Sequence, residues 1–578
     1  MSRRVAQVTA LWAVLLLAAG CVRLPDDGPV VAAAPADPSP SDEQLLDFDP
    51  PMPRDGAEPQ EVVDSFMTAM MAAPIGTSVA REHLTAEAAR SWDPATTLVY
   101  SSVAYSSGPD GVQAVLSDAV RIDRRGAWQG ALSPRRSRID FSLTVEDGQW
   151  RISELPDARI VNKTFFDNRY DRATVHWFDP SGQVLVPEPV YVPQGEGMPS
   201  ALVRSLLLGP PPQLRGVVRS YLPPRLESSG VPVNAAGEAD VRLSTPFPPL
   251  PAEDLDRARS QLARTLREIP TIDSFQISTP QGTVRTPGGG SGTWVGEGGE
   301  FDPTTGPGST MLYALVEGRL ASGGRGGLAP VTGVPGREPT GWRSFAVEPG
   351  GRRVAGVDRR SGTTVELAGV RTRGSEPVRV VEDAVDLMRP GWDALGGLWL
   401  VDRRAGGAAV LLVQDGRVRQ VEVPGVSGRS VRAFRVSPDG SRFVALVRGS
   451  RGDRLVLSRV VRDGAGRVQR LDAAEKVPVG TDVPVRMRDL AWSSPTSVRV
   501  LFATTGEVSQ VREVSLDGST GLGAPLSTVN GRMHRLVGWP DPAVPSFAVR
   551  SDQVAGLDGA QAPSLPEGTA RLTLTYAG

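Results

Sequence analysis

The sequence predicts a multidomain, mostly β architecture. An α+β module comes first, an α/β module follows, and an all-β propeller of five or six blades closes the chain. Three observations carry this reading. The chain has 578 residues, room for several cores of ordinary domain size. Its 64 Gly and 51 Pro favour turns and strands over long helices. Its C-terminal half repeats one unit: an alternating strand, a P-[D/G]-G-type turn, then an apolar strand.

Residues 1–20 read as an export signal. Arg3 and Arg4 precede an apolar run from Val8 to Ala19, ending in Leu17-Ala18-Ala19-Gly20-Cys21. Twelve residues span roughly 18 Å as a helix, short of a hydrocarbon core of about 30 Å, so the run suits a signal peptide and not a membrane span. The string resembles a lipobox, with Ala18 where that pattern usually has a large aliphatic residue. The resemblance implies cleavage between Gly20 and Cys21, acylation of Cys21, and anchoring in membrane lipid on the extracytoplasmic face. Cys21 is the chain's one cysteine, so no internal disulfide and no cysteine-based zinc cluster can form.

Residues 21–57 are rich in Pro, Asp and Ala and predict a tether. As a coil it would average roughly 35 Å end to end, and as polyproline II it could reach about 110 Å.

Residues 58–165 predict the α+β module. Val62, Val63, Phe66, Met67, Met70 and Met71 recur at helical spacing, and a second helix is expected over Val79 to Trp92. Strands are expected over Thr97 to Ser101, Val112 to Ile122, Arg138 to Val145 and, after the Asp147-Gly148 turn, Gln149 to Leu155. Helices followed by antiparallel strands ending in D-G-Q-W-R-I resemble the nuclear-transport-factor-2-like (NTF2-like) cone.

Residues 171–286 predict the α/β module. An aromatic strand segment (ATVHWFDPSGQVLVPEPVYV) leads to a helix from Met198 to Leu208, stopped by Gly209-Pro210. Two strands follow in SYLPPRLESSGVPVNAAGEADVRLS. Then come a helix over Ala252 to Glu268 and a strand from Ser274 to Ser278. ALVRSLLLGP, GEADVRLS and QLARTLREIP in this order resemble the GerMN domain, which implies an interaction module on the outer cell surface. Residues 287–307 predict a Gly-rich linker, with Trp294 and Phe301 suggesting that it packs partly on a neighbour.

Residues 308–578 predict the propeller. Turns at Pro349, Asp393, Pro438, Pro495 and Pro540 lie 44, 45, 57 and 45 residues apart, near the length of a four-stranded blade. Thr310 to Ala321 and Thr569 to Ala577 are expected to share a closing blade. A pair of β-sandwiches is the alternative arrangement.

No catalytic site, metal site or cofactor is expected. There is no G-x-x-x-x-G-K-[ST], no H-E-x-x-H and no G-x-S-x-G. His83, His176 and His534 fall in three different modules. A net charge of −2, with both signs interspersed, gives no reason to expect nucleic acid as a partner.

Taken in order, the parts resemble the actinobacterial LpqB lipoprotein family, over nearly the full length. The resemblance implies a non-enzymatic accessory protein. It would bind the extracytoplasmic region of a two-component sensor kinase of the MtrAB type and tune signalling that governs cell-envelope homeostasis and division. The alternative is a cell-wall or solute-binding lipoprotein without a signalling role. The residues alone imply something narrower: a tethered, multi-module binding protein.

Overall fold

The computed structural model describes residues 48–578, apart from 110, 287, 306–309, 325–326, 373–375, 482, 505, 520–526 and 565–571. Residues 50–578 form one compact unit, built from three modules that each have a core.

The first module opens with the helix Pro59–Ala69. Pro59 starts it, and Glu58 and Glu61 cap each other's backbone. The helix buries Val62, Val63, Phe66 and Met67, and Phe66 packs against Trp92 (5.6 Å between ring centroids) and Phe141 (6.0 Å). The single helix expected over Val79 to Trp92 is two short ones, Ser78–Arg81 and Ala86–Ser91. Between them the backbone pairs with a strand instead: Ile152 N–H donates to the His83 carbonyl and Thr85 N–H to the Ile152 carbonyl, both at 3.0 Å. Thr85 then caps the second helix, accepting from Ala88 N–H.

One sheet of this module is antiparallel, in the order Ser102–Gly108, Gly111–Ser117, Arg138–Glu146, Gln149–Glu154. The other runs Trp128–Ala131, Val120–Ile122, Thr97–Tyr100, Arg159–Asn162, with its last pair parallel. The one strand expected over Val112 to Ile122 breaks at Asp118, whose φ of 50° turns the chain from one sheet to the other.

The second module begins with the hairpin Tyr170–Phe178 and Leu185–Pro193, the two strands expected in the opening aromatic segment. Asp179 shapes its turn by accepting from Gln183 N–H and Val184 N–H. Strands Glu238–Leu243 and Ser274–Thr279 pair in parallel, joined by the helix Ala252–Leu266. That helix and Met198–Leu207 bury Leu202, Leu206, Leu262 and Leu266 with Trp177, Phe178 and Phe275. The Gly-rich segment after this module adds Thr293–Trp294 to the edge of Ser274–Thr279. Phe301 packs edge-on against Phe178 at 5.0 Å, whereas Trp294 is 63 % exposed.

The third module is a propeller. Six sheets are formed by its described residues. The inner strands are Trp342–Val347, Gly391–Trp392, Val431–Val436, Met487–Ser494, Arg535–Val537 and Leu572–Tyr576, and each touches the next around a ring. The C-terminal strand Leu572–Tyr576 pairs antiparallel with Leu312–Val316 and completes that blade from the other end of the module. Such closure leaves no long edge open. The recurring turns follow the inner strands. Asp439 organises its turn by accepting from Ser441 N–H and the Ser437 hydroxyl, and Asp393 accepts from Leu395 N–H and Gly397 N–H.

Candidate binding surfaces

The expected lipidation and cleavage residues, Cys21 and Gly20, lie outside the described residues. Among the described residues no helix is long and apolar enough to cross a membrane, and no group of three or more His, Cys, Asp and Glu side chains could hold a metal ion.

All inner strands of the propeller run from one mouth of its central channel to the other. The repeated turns therefore gather at the second mouth, and the α/β module sits on them. The strand Leu185–Pro193 supplies the contact. Within its apolar run (LVPEPVYVP), Glu188 is the one charged side chain, and it is 8 % exposed. Its carboxylate accepts from Arg442 Nη2 at 2.6 Å and from Arg459 Nη1 and Nη2 at 2.6 and 3.0 Å. Arg442 also donates to the Pro187 carbonyl and to Asp439 in the turn. Its side chain is 1 % exposed, so this is a buried, fully hydrogen-bonded charge cluster.

A second contact comes from Arg172, which donates to the Thr496 and Ser515 hydroxyls at 2.8 Å and lies 3.6 Å from Asp517. Val461 of the propeller joins the apolar core of the α/β module. Sequence reading missed Glu188, Arg442 and Arg459. The available signal was a lone acid between two prolines in a strand otherwise made to be buried.

Between the α/β module and the turns lies a cavity of about 370 Å³, bordered by His176, Arg264, Asp302, Pro438, Pro495 and Pro540. Arg264 pairs with Asp302. Burial, with the Arg264 cation adding to it, lowers the His176 pKa to about 3; Asp302 opposes the shift. His176 is thus a neutral packing residue at physiological pH. His83 is buried too, and burial is the main cause of its lowered pKa. Its ring contacts the Ser65 hydroxyl at 2.8 Å and the Val79 carbonyl at 3.0 Å. His534 lies at the opposite mouth of the channel, 3.4 Å from Arg488. The three histidines remain in three separate places, as their positions in the chain suggest.

The first module is fixed to the second by backbone and side chain together. Tyr191 N–H donates to the Gly126 carbonyl at 2.7 Å, and the Ser205 hydroxyl to the Arg125 carbonyl at 2.6 Å. Arg125 donates to the Leu208 and Gly209 carbonyls, which end the helix Met198–Leu207. A cation there satisfies carbonyls that have no partner within the helix and complements its dipole. A cavity of about 410 Å³ opens where the modules meet, bordered by Trp128, Trp177, Glu188 and Arg459. The three modules therefore present a continuous, composite surface.

Comparison with known proteins gives the same division. Three family models match in succession: the lipoprotein LpqB N-terminal domain over residues 52–167, sporulation and spore germination over 174–279, and the lipoprotein LpqB beta-propeller domain over 318–566. The chain is 28 % identical to Lipoprotein LpqB of Cutibacterium acnes, over 90 % of each chain. It is 27 % identical to Lipoprotein LpqB of Streptomyces coelicolor, over 98 % of each chain. It is 26 % identical to Lipoprotein LpqB of Mycobacterium bovis, over 91 % of this chain and 92 % of the relative.

Proposed function

Since the chain belongs to the LpqB lipoprotein family, we propose that it is held by lipid on Cys21 at the outer face of the cytoplasmic membrane and works there by protein binding. Its partner in this reading is the extracytoplasmic region of a two-component sensor kinase of the MtrAB type, which controls cell-envelope homeostasis and division. The observation that supports a binding role is the locked junction: Glu188 joins the α/β module to two propeller arginines, so one rigid surface spans both. A rigid surface loses little freedom on association, which leaves more of the contact energy for affinity. A kinase shifts only if its conformations are bound unequally, and a tenfold preference corresponds to about 1.4 kcal/mol. Holding both proteins at one membrane raises their effective concentration and lets a modest contact act.

Two measurements test the reading. Cys21→Ser should abolish palmitate incorporation and partition into detergent; labelling equal to the parent refutes anchoring through this residue. The lipidated chain, co-reconstituted with the kinase in vesicles, should change phosphotransfer to the response regulator. No change at saturation, together with retention of the protein on purified cell wall, would favour a wall-binding lipoprotein instead.

A further inference from the structure

The mouth of the propeller channel away from the α/β module is lined by arginines. It is a cavity of about 310 Å³, formed where the inner strands begin. Seven guanidinium groups border it, one or two from each of several blades. Two carboxylates pair with them. Asp386 lies 2.6 Å from Arg343 and 2.5 Å from Arg403, and Asp489 lies 3.1 Å from Arg435. The other Asp489 oxygen is used by Leu536 N–H, at 2.9 Å. Both acids are thus engaged, and the remaining cations exceed them.

Arg389 and Arg535 make the imbalance acute. Each has an Nη1 atom sealed from solvent with no hydrogen-bond partner among the described residues. Burial, and repulsion from the neighbouring arginines, push both guanidinium pKa values down. A buried, unpaired donor on a cation is costly, and buried cations are normally paired. Both residues border the cavity, with Asp489 the acid that acts on both. His534, at the same mouth, is also held below its ordinary pKa, by burial first and then by Arg488, Arg532, Arg550 and Arg535.

The geometry points to a binding site for a phosphate-bearing anion carrying two or more negative charges, such as a pyrophosphate group, in the arginine-lined mouth of the propeller. Phosphoryl oxygens match the planar fork of a guanidinium group, and several forks converge here. A single carboxylate would neutralise one cation and leave the others facing one another. The site does not depend on the kinase reading: it lies at the opposite end of the channel from the junction, and its ligand is read by charge alone. The phosphate could be free or could belong to a lipid headgroup.

The test uses the full-length lipidated chain in phosphatidylcholine vesicles, titrated with pyrophosphate and followed by calorimetry. Saturable binding is expected, weakened about tenfold or more by combining Arg389→Gln with Arg535→Gln. Arg417→Gln, on the outer strand Arg417–Val421, should leave it unchanged. The double variant should melt no lower than the parent without ligand, because it removes unpartnered buried charge. Should it fail to fold, Arg488→Gln at the rim should still weaken binding measurably.

Vesicles containing phosphatidic acid identify the source. A weaker apparent affinity for pyrophosphate there assigns the site to a lipid headgroup, and an unchanged affinity assigns it to soluble phosphate; both outcomes support the site. No saturable binding, or equal binding by the double variant, overturns the proposal. So does tighter binding of polyglutamate that is lost with the same substitutions, since that result assigns the mouth to a carboxylate-bearing protein.

Discussion

The two mouths of the propeller channel are built from the same repeat and have opposite electrostatics. At the covered mouth, Arg442 and Arg459 meet Glu188 of the neighbouring module within hydrogen-bond distance. At the open mouth, Arg389 and Arg535 each keep a sealed donor without a partner among the described residues. The repeat supplies arginine at both ends; only one end has a module to answer it. The contrast separates charge used to join modules from charge left for something outside the chain.

The largest effect should come from opening the ring on which both mouths depend. Deleting residues 572–578 removes the inner strand Leu572–Tyr576, including buried Leu572, Leu574 and Tyr576. Each large side chain of this kind contributes about 1.5–3 kcal/mol by burial, and the deletion also exposes the edge of Leu312–Val316. Scanning calorimetry should show a lower, broader transition, and parent-like melting would contradict closure by this strand.

Next in size is the covered mouth itself. Glu188→Gln leaves Arg459 without its counter-charge and Arg442 with Asp439 alone in a buried site, and losing one partner of such a pair costs about 3–5 kcal/mol. Urea unfolding should register the loss, and a cycle with Arg442→Gln should show strong coupling between the two positions. If Glu188→Gln unfolds like the parent, ion pairing does not hold this junction and the contrast between the mouths fails.

Much of the fold was legible because it follows from local patterns. The turns at Pro349, Asp393, Pro438, Pro495 and Pro540 announced the blades, since an Asx-type turn depends on residues only a few positions apart. The closing strand was legible from its alternation of Leu572 and Leu574 with threonines. What misled was also local. Val79 to Trp92 has helical spacing, yet tertiary pairing of its middle with Ile152 wins over propensity. The binding surfaces were hardly legible. Glu188 and Arg442 are 254 positions apart, and the arginines of the open mouth are spread one or two to a blade. Five of the seven stand just before or at the start of an inner strand, as in Trp342-Arg343, Arg389-Pro390, Met487-Arg488 and His534-Arg535, whereas Arg403 and Arg435 lie late in their strands. That signal becomes visible only once the blades are superposed.

The pH dependence of stability should report the covered side. His176 has a folded-state pKa of about 3 against an ordinary value of 6.5. Its folded form is therefore the neutral one, and the stability this contributes is present above pH 6.5. As pH falls from 6.5 toward 3, the unfolded chain takes up a proton that the folded chain refuses, and stability drops. Replacing His176 with Gln should flatten this part of a pH series of thermal melts. A slope as steep as the parent's would place the acid sensitivity elsewhere.

The smallest and most discriminating effect concerns His534 at the open mouth. Its pKa is lowered by burial and, next, by a set of arginines led by Arg488. The His534 ring is exposed, so solvent and salt reach it, and the arginine contribution should be screened as ionic strength rises. The lowering at His176 comes mainly from burial, which salt does not reverse. Proton NMR of the imidazole signals at low and high salt should therefore move the His534 midpoint upward, toward the ordinary value, while His176 stays neutral throughout. Assignment needs only His534→Gln and His176→Gln, since the chain has three histidines. A His534 midpoint at or above 6.5 in low salt would mean that the surrounding guanidinium charge is already neutralised. The open mouth would then be as balanced as the covered one, and the surplus of cations that distinguishes it would not exist in solution.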